Sequence, residues 1–396
     1  MEHALLREAR AMAPFLEEIF CALHREPELG KAEHRTAQRI RRELEAMGLE
    51  PVTIADTGVM AVIRGGQEGP TIGFRADMDA LPITEETGLP YASQYPGVMH
   101  ACGHDFHVAA LLGAARLLLE RRGELRGNVK LFFQPDEEKD GGAARMIAAG
   151  CMTDPPVDAM IACHVDSTTP TGKVSLRPGP ICAASNPFTI TVRGVGSHGA
   201  KPHLGTDVIV AGSHMVTALQ TIASRRSSPT EPVVVTVGSF HAGTAGNILP
   251  GEAVLTGTIR TMGSEARQKV TEDVSAIVTG VAAAMDVAVD IHIEESYPSC
   301  VNDRAMTDLL RRSAEELLGS ENVLDRDHPS MGADDFGYFS AAVPGCYYYL
   351  GVGNVGKGFA YPNHNSCFAA DPAALPVAAA LHAKVVLDYL GREDVP

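Results

Sequence analysis

Apolar residues recur every three or four positions through the start of the chain, which is the spacing of one face of a helix. Leu5, Ile19 and Ile40 belong to this series, and Gly48 follows its last members. The spacing therefore predicts a helical opening over residues 5–49 that ends at Gly48.

Short runs of apolar and β-branched residues then alternate with further helical stretches. The predicted strands are residues 59–64, 71–75, 129–133 and 159–163, and the predicted helices are residues 108–121 and 143–149. Alternation of this kind is typical of α/β proteins with a mainly parallel sheet and flanking helices. We therefore predict such a sheet for the first part of the chain.

The pattern changes near residue 186 to the order strand, helix, strand, strand, helix, strand. These elements are predicted at residues 188–192, 206–224, 232–240, 253–261, 265–285 and 287–293. This is the ferredoxin-like order, which forms a compact α+β domain. Helix 304–318, strand 346–352 and helix 372–390 follow and would complete the first sheet. We therefore predict one α/β domain, residues 1–184 and 298–396, interrupted by an inserted α+β domain at residues 185–297.

Composition places the chain among ordinary globular proteins. It has 396 residues, 45% of them hydrophobic and 21% charged, and its longest apolar stretches are interrupted before the roughly 20 residues that a membrane span needs. The formal charge of −16, without any basic run, argues against nucleic acid or an anionic membrane as a partner. The first residues do not resemble a signal peptide, and eight cysteines in so long a chain do not indicate a disulfide framework. These features predict a cytoplasmic protein.

Residue types that bind metals follow several of the predicted strands. In chain order they are Asp77 and Asp79, Cys102 and His104, Glu137 and Glu138, His164, and His364. The carboxyl ends of the strands in an open α/β sheet line its ligand crevice, so these side chains are expected at one rim. A single histidine or a pair of glutamates is usually structural or solvated. The joint placement nevertheless predicts a metal site.

The types of ligand atom at this site limit which metals it can bind and indicate which reaction it can support. A thiolate and an imidazole, from Cys102 and His104, suit transition metals, so that zinc, manganese, cobalt and nickel all remain candidates. Adjacent carboxylates at Glu137 and Glu138 suggest that one binds the metal while the other acts as general base towards a metal-bound water. Metal-assisted hydrolysis requires this pairing.

Seven motifs in fixed order carry a family resemblance. They are ADMDALP (76–82), HACGHDFH (100–107), FQPDEE (133–138), GVGSHGAKPH (194–203), GNILP (246–250), GTIRT (257–261) and MGADDF (331–336). The chain resembles the M20 metallopeptidase and amidohydrolase family over nearly its whole length. The branch it most resembles contains aminoacylases, hippurate hydrolases, indole-acetyl amino acid hydrolases and N-acetyldiaminopimelate deacetylases.

The resemblance implies a role for each matching residue. The implied ligands, normally for two divalent ions, are Cys102, His104, Glu138, His164 and His364. Glu137 falls on the catalytic base of the family, and Asp79 resembles the acid that supports the site from behind. His198 matches a histidine that stabilises the oxyanion, often across a dimer interface. Asn247 and Arg260 match positions associated with holding the substrate carboxylate.

The resemblance also implies an architecture and a reaction. The α/β domain would be a zinc-peptidase-like catalytic domain, and the inserted domain a lid or dimerisation domain of a homodimer or higher homo-oligomer. The reaction would be hydrolysis of the amide bond of N-acyl amino acids, releasing a carboxylic acid and an amino acid, with Glu137 as general base.

Three other functions remain open. A metallo-dipeptidase or carboxypeptidase could use the same site on a dipeptide. An aminohydrolase could act on an unusual amide or an aromatic amine. A non-catalytic protein that binds a metal or a small molecule is the least favoured, because Glu137 and the whole ligand set are present.

Overall fold

The computed structural model of the chain describes residues 2–392, which divide into two compact units. The α/β unit contains the chain up to Ile181, Val301–His328 and the part from Tyr338 onward, and the inserted unit contains Cys182–Cys300 and Pro329–Gly337. The assignment of catalytic and lid roles to the two predicted domains stays a prediction.

The α/β unit begins with three helices, so the prediction of one helical opening from residue 5 to residue 49 was wrong in detail. The helices are α1 (Ala4–Ala11), α2 (Ala13–Arg25) and α3 (His34–Ala46). Proline is tolerated in the first turn of a helix, and Pro14 lies in the first turn of α2. Pro27 disfavours the helical conformation at Glu26, the residue directly after the end of α2. Two prolines therefore divide a continuous apolar pattern.

The next elements follow the predicted alternation. They are β1 (Val52–Ile54), β2 (Gly58–Arg64), β3 (Gln67–Asp77), α4 (His104–Leu119), β4 (Arg126–Gln134), α5 (Gly142–Ala148), β5 (Ala159–Pro170), β6 (Val174–Leu176) and β7 (Gly179–Cys182). Two boundaries differ from the prediction in ways that matter below. Helix α4 begins at His104 rather than at residue 108, and β5 continues past His164 instead of ending before it.

The inserted unit has the predicted ferredoxin-like order with two additional short strands. Its elements are β8 (Ala184–Arg193), β9 (Ser197–His198), α6 (Val208–Leu219), β10 (Val233–Ala242), β11 (Ile248–Leu249), β12 (Glu252–Thr261), α7 (Ser264–Ala284) and β13 (Ala288–Ile293). The main sheet has the antiparallel order β10-β12-β8-β13, and β9 pairs with β11. Val270, Val274 and Val278 form a buried stripe at helical spacing on α7.

The rest of the chain completes the α/β unit. The remaining elements are β14 (Cys300–Asn302), α8 (Arg304–Leu318), β15 (Val323–Asp325), α9 (Phe336–Ala342), β16 (Gly345–Gly353) and α10 (Leu375–Leu390). The large sheet has the order β1-β2-β4-β3-β5-β16-β6-β15, in which β4, β3, β5 and β16 are parallel neighbours. The predicted α/β class with a mainly parallel sheet is confirmed.

Helices α4 and α10 pack against each other and are buried along almost their whole length. Segment Pro372–Leu390 is long and apolar enough to cross a membrane, but 78% of its most apolar window is buried inside the protein. A helix in the core of an α/β protein has the same length and apolar character, because other elements cover it on both sides. Helix α4 carries a metal-ligating residue type at its first position, so the core fixes one side of the candidate site.

Candidate metal centre

The five residues predicted as metal ligands come together in the α/β unit. Their donor atoms form two groups, Cys102 with His104 and His164, and Cys102 with Glu138 and His364; within each group the atoms lie within 4.8 Å of one another. Cys102 belongs to both groups. Its Sγ atom lies 3.4 Å from Nε2 of His164 and 3.3 Å from Nε2 of His364.

A left-handed turn at Gly103 brings Cys102 and His104 to the same place. Gly103 has φ of +86° and directly precedes α4. A Cβ atom at this position would lie 2.5 Å from Cγ2 of Val165, so only glycine fits. Cys102 and His104 therefore do not lie on an extended segment, in which side chains two residues apart project to the same side. The tight turn against β5 produces the convergence instead.

Asp79 holds two parts of the site at once. Its Oδ1 atom lies 3.2 Å from Nδ1 of His104, and its Oδ2 atom accepts the backbone N–H of Glu138 at 3.1 Å. This leaves Nε2 of His104 pointing to the cluster, where it is buried and makes no hydrogen bond. A carboxylate behind an imidazole is a common device for orienting a metal ligand.

The other two histidines are oriented by the backbone. Nδ1 of His164 hydrogen-bonds to the carbonyl of Val165 at 2.8 Å, which leaves Nε2 facing Cys102. His364 has φ of +67°, and its N–H donates to the carbonyl of Ala101 at 2.8 Å. The His364 side chain is 53% exposed, whereas His104 is fully buried. One side of the cluster therefore opens towards solvent.

The arrangement fits a divalent cation. Nε2 of His364 lies 3.2 Å and Nε2 of His104 3.8 Å from Oε1 of Glu138. Ligand atoms bound at about 2.0–2.3 Å in a tetrahedral site lie about 3.3–3.8 Å apart, which matches these separations. Burial and the nearby carboxylates of Glu138 and Glu137 raise the pKa of the Cys102 thiol well above its usual value. A cation among these donors would offset that repulsion.

A third group of potential metal ligands contains Asp77, His104 and His107, and hydrogen bonds account for Asp77 and His107 without a metal. Asp77 is bound by the Arg75 guanidinium at 2.6 Å and by Nδ1 of His107, while Nε2 of His107 accepts the Val165 N–H at 3.0 Å. Both ring nitrogens of His107 are thus used. Burial alone would raise the pKa of Asp77, but Arg75 and the two neighbouring histidines hold it well below its usual range.

Glu137 lies beside the ligand cluster. A carboxylate oxygen of Glu137, Nε2 or Nδ1 of His104 and an oxygen of Glu138 are within 4.8 Å of one another. Glu137 is only 6% exposed. The residue before it, Asp136, has φ of +55°, so the chain turns sharply as it leaves β4. This turn directs two successive carboxylates to the same cluster.

The remaining predicted site residues belong to the inserted unit. His198 and Asn247 are exposed neighbours, since the Gly199 N–H donates to the Asn247 carbonyl at 2.8 Å. Nδ1 of His198 accepts the Ala200 N–H at 3.0 Å. Arg260 lies on β12, where its guanidinium hydrogen-bonds to Thr258 and to the Ile259 carbonyl. His198 therefore pairs with Ile248, the residue after Asn247, on the small sheet, whereas Arg260 lies on the main sheet of the unit.

Sequence reasoning assigned no role to several buried polar residues that contact these loops. They are His24, Glu33, Arg75, Asp105, His107 and Asp136. Most stand in or next to quoted motifs, but nothing in a motif indicates which residues touch across the fold.

Comparison with known proteins is consistent with this site. Residues 73–388 match the sequence model of peptidase family M20/M25/M40. An N-acetyl-L-cysteine deacetylase of Bacillus subtilis is 41% identical over 83% of this chain and 78% of the relative. Thermostable carboxypeptidase 1 of Saccharolobus solfataricus is 36% identical over 98% of both chains.

A solved structure is similar to this chain over almost its whole length. It is the Bacillus subtilis YXEP protein, described as a dinuclear metal binding peptidase from the M20 family. It has a TM-score of 0.85 and 33% identity, covering 96% of this chain and 99% of the other.

Proposed function

The chain belongs to peptidase family M20/M25/M40 and is a metal-dependent amidohydrolase, and we propose that it hydrolyses the amide bond of N-acyl amino acids. The observation that carries this proposal is the group of sulfur, nitrogen and oxygen donors around Cys102, with the carboxylate of Glu137 buried beside it. The N-acetyl-L-cysteine deacetylase among the relatives supports an N-acyl amino acid as the substrate.

We further propose that the site holds two divalent ions, from the candidates manganese, zinc, cobalt and nickel. Cys102, His104 and His164 would hold one ion, and Cys102, Glu138 and His364 the other, since Cys102 is common to both groups. The dinuclear relative supports this number. Such ions supply Lewis-acid polarisation and lower the pKa of water.

The residues of the chain then have distinct tasks. Glu137 takes a proton from the attacking water and passes it to the nitrogen of the leaving amino acid, as a general base and then a general acid. Asp79 keeps His104 and the backbone of Glu138 in place through both hydrogen bonds described above. The burial of Glu137 keeps bulk water from its carboxylate, so the proton it carries is available for the leaving group.

His198, Asn247 and Arg260 would act on the substrate. Because Nδ1 of His198 accepts an N–H, a neutral ring carries its proton on Nε2, which can then donate to the oxyanion. Arg260 and the Asn247 amide would bind the substrate carboxylate, which needs local positive charge in a chain with a net charge of −16.

We propose that the protein is a homodimer or a higher homo-oligomer and works in the cytoplasm. Apolar side chains are exposed on the inserted unit, among them Val195 at 61%, Leu204 at 62% and Ile248 at 56%. Val195 and Leu204 flank β9, and Ile248 lies on β11, which pairs with β9; exposed apolar residues grouped in this way often mark an interface. The eight cysteines are all free thiols, which suits a reducing compartment. Light scattering that shows a strict monomer would count against the dimer.

The test is a substrate panel with the purified protein loaded in turn with each of the four metals. N-acetyl and N-benzoyl amino acids should be cleaved faster than dipeptides. The Cys102→Ala variant, purified in parallel, identifies any contaminating hydrolase. Absence of turnover on every N-acyl substrate, with metal bound, would refute the proposal.

Cleavage of dipeptides alone would favour the second candidate, a metallo-carboxypeptidase or dipeptidase. The observation behind this candidate is the 36% identity to thermostable carboxypeptidase 1 over almost the whole chain.

A further inference from the structure

The last two residues of α2 and the loop that joins it to α3 contact three of the loops that form the candidate metal centre. We call residues 24–33 the bracing segment. Each of its three contacts falls on a residue directly next to a site residue, and none of them was assigned a role above.

The first contact joins His24 to the start of α4. Nδ1 of His24 lies 2.6 Å from Oδ2 of Asp105, the residue after His104, and the two side chains are 2% and 1% exposed. Nε2 of His24 lies 3.2 Å from Oε1 of Glu85, and the Ser93 N–H fixes Glu85 at 2.7 Å. Burial alone would lower the pKa of His24, but Asp105 and Glu85 raise it to about 9. At neutral pH the ring is therefore charged and donates to both carboxylates.

The second contact joins Glu33 to the turn before Glu137. Oε1 of Glu33 accepts the Asp136 N–H at 2.8 Å, and Oε2 accepts the Thr57 hydroxyl at 2.7 Å. Glu33 is fully buried. Asp136 occupies the left-handed region with φ of +55°, which a non-glycine residue adopts only when its surroundings hold it there.

The bracing segment also packs directly on that turn. A Cβ atom on Gly30 would lie 2.2 Å from Oδ1 and 3.2 Å from Cα of Asp136, so the absence of a side chain lets the segment lie against this residue. The third contact is made by backbone alone: the Ala80 N–H donates to the carbonyl of Glu28 at 2.8 Å, and Ala80 follows Asp79. The loops carrying His104, Glu137 and Asp79 are thus all held by one short segment.

We propose that the bracing segment positions the metal centre, with His24 and Glu33 as its positioning residues. This rests on the proposed metal-dependent function. His24 sets the start of α4 and hence His104, and Glu33 sets the turn that directs Glu137 and Glu138. A buried ion pair by itself is weak evidence for anything beyond local structure. Here the contacts of one segment, made by the side chains of His24 and Glu33 and by the backbone of Glu28, converge on three separate loops of one site.

Matched substitutions separate positioning from general stability. In His24→Asn the side-chain amide nitrogen can replace Nδ1 and keep the bond to Asp105, whereas in His24→Gln it reaches the place of Nε2 and loses that bond. Glu33→Gln keeps an acceptor for the Asp136 N–H, and Glu33→Ala removes it. Leu44→Ala, a fully buried position on α3 outside the segment, is the control for lost stability.

Two properties are measured, both well below the melting temperature of each variant. The first is the metal affinity, determined by competition with a chelator, and the second is the visible absorption spectrum of the cobalt-loaded protein. His24→Gln and Glu33→Ala should weaken metal binding about 10- to 100-fold and shift the cobalt spectrum, as removal of a residue that orients a ligand does. His24→Asn, Glu33→Gln and Leu44→Ala should stay close to wild type in both.

Equal metal affinity and spectra in all five variants would overturn the proposal, since the segment would then only stabilise the fold. A loss in Leu44→Ala as large as in His24→Gln would overturn it too. Neither readout requires a substrate. A wild-type protein that binds metal but cleaves no N-acyl amino acid would refute the proposed function and leave the result on the bracing segment standing.

Discussion

In the α/β unit four of the five candidate metal ligands are buried or partly buried, and hydrogen bonds to Asp79 and to the backbone orient His104 and His164. In the inserted unit, by contrast, the candidate oxyanion donor and one candidate carboxylate-binding residue are exposed. His104 is tied to Asp79 and sealed from solvent. His198 lies exposed on the two-stranded sheet of β9 and β11, and Asn247 is the exposed residue before β11, whose carbonyl accepts the Gly199 N–H.

The difference teaches how the two units contribute. A metal-binding group has to be preorganised, because small displacements of ligand atoms weaken binding of the ion. A group that recognises a flexible substrate can be ordered when the substrate arrives. Substitutions in the α/β unit should therefore lower mainly the rate of proton transfer or the metal affinity. Substitutions in the inserted unit should weaken the stabilisation of the transition state or the affinity for the substrate.

The largest effect is expected for Glu137→Gln. Glutamine keeps the size of the side chain but cannot accept the proton, so kcat should fall about 10³- to 10⁴-fold. Metal content, measured by atomic absorption, should equal that of wild type because the ligands are untouched. Turnover that survives in this variant would remove Glu137 from the mechanism.

His198→Ala should lower kcat about 10²- to 10³-fold, the usual effect of losing an oxyanion donor. KM and metal content should change little, because the lost contact forms only in the transition state. His203→Ala is the matched control, since His203 is an exposed histidine of the same unit with no proposed role. Equal effects of the two substitutions would contradict the role of His198.

The buried charges of the α/β unit should make its stability depend on pH. The pKa of His24 is about 9 in the folded chain against an ordinary value of 6.5. Its stabilising contribution is therefore complete below about pH 6.5 and is lost as the pH rises through 9, a change of about 3 kcal/mol. Of the groups facing it, Asp105 and Glu85 have lowered pKa values and stay ionised, and burial keeps His100 neutral with a pKa of about 4.

This is measured as the free energy of unfolding in urea, followed by circular dichroism between about pH 6 and pH 10. His24→Asn should flatten the profile, because asparagine does not titrate. An unchanged slope in that variant would assign the pH dependence to other groups.

The smallest effect is expected for Arg260→Met, which keeps an unbranched apolar side chain but removes the charged guanidinium group. Loss of a charge-assisted hydrogen bond of about 1.5–3 kcal/mol should raise KM about 10- to 100-fold for N-acyl amino acids. N-acyl amines without a carboxylate should show no such change. If KM rises equally for both classes of substrate, Arg260 does not bind the carboxylate.

The sequence alone determined the order of elements and the residue types that gather at the metal centre. Helices and strands follow local periodicity, which is why the ferredoxin-like order of the inserted unit and most elements of the α/β unit could be predicted. The five candidate ligands were identifiable because metal-binding residue types follow the predicted strands, although His164 lies within β5 and not after it. The start of α4 was misplaced, since the turn at Gly103 depends on Val165, which lies on another strand.

Only the tertiary structure decided what holds those residues in place. His24 meets Asp105 across 81 positions of sequence, and Glu33 meets the Asp136 N–H across 103. Neither contact can be recognised in the hydrophobic periodicity of the sequence, because a buried polar residue depends on its partner in space and not on its neighbours along the chain. Local chemistry can therefore be predicted from sequence spacing, whereas the support of a site depends on which distant segments the packed core brings together.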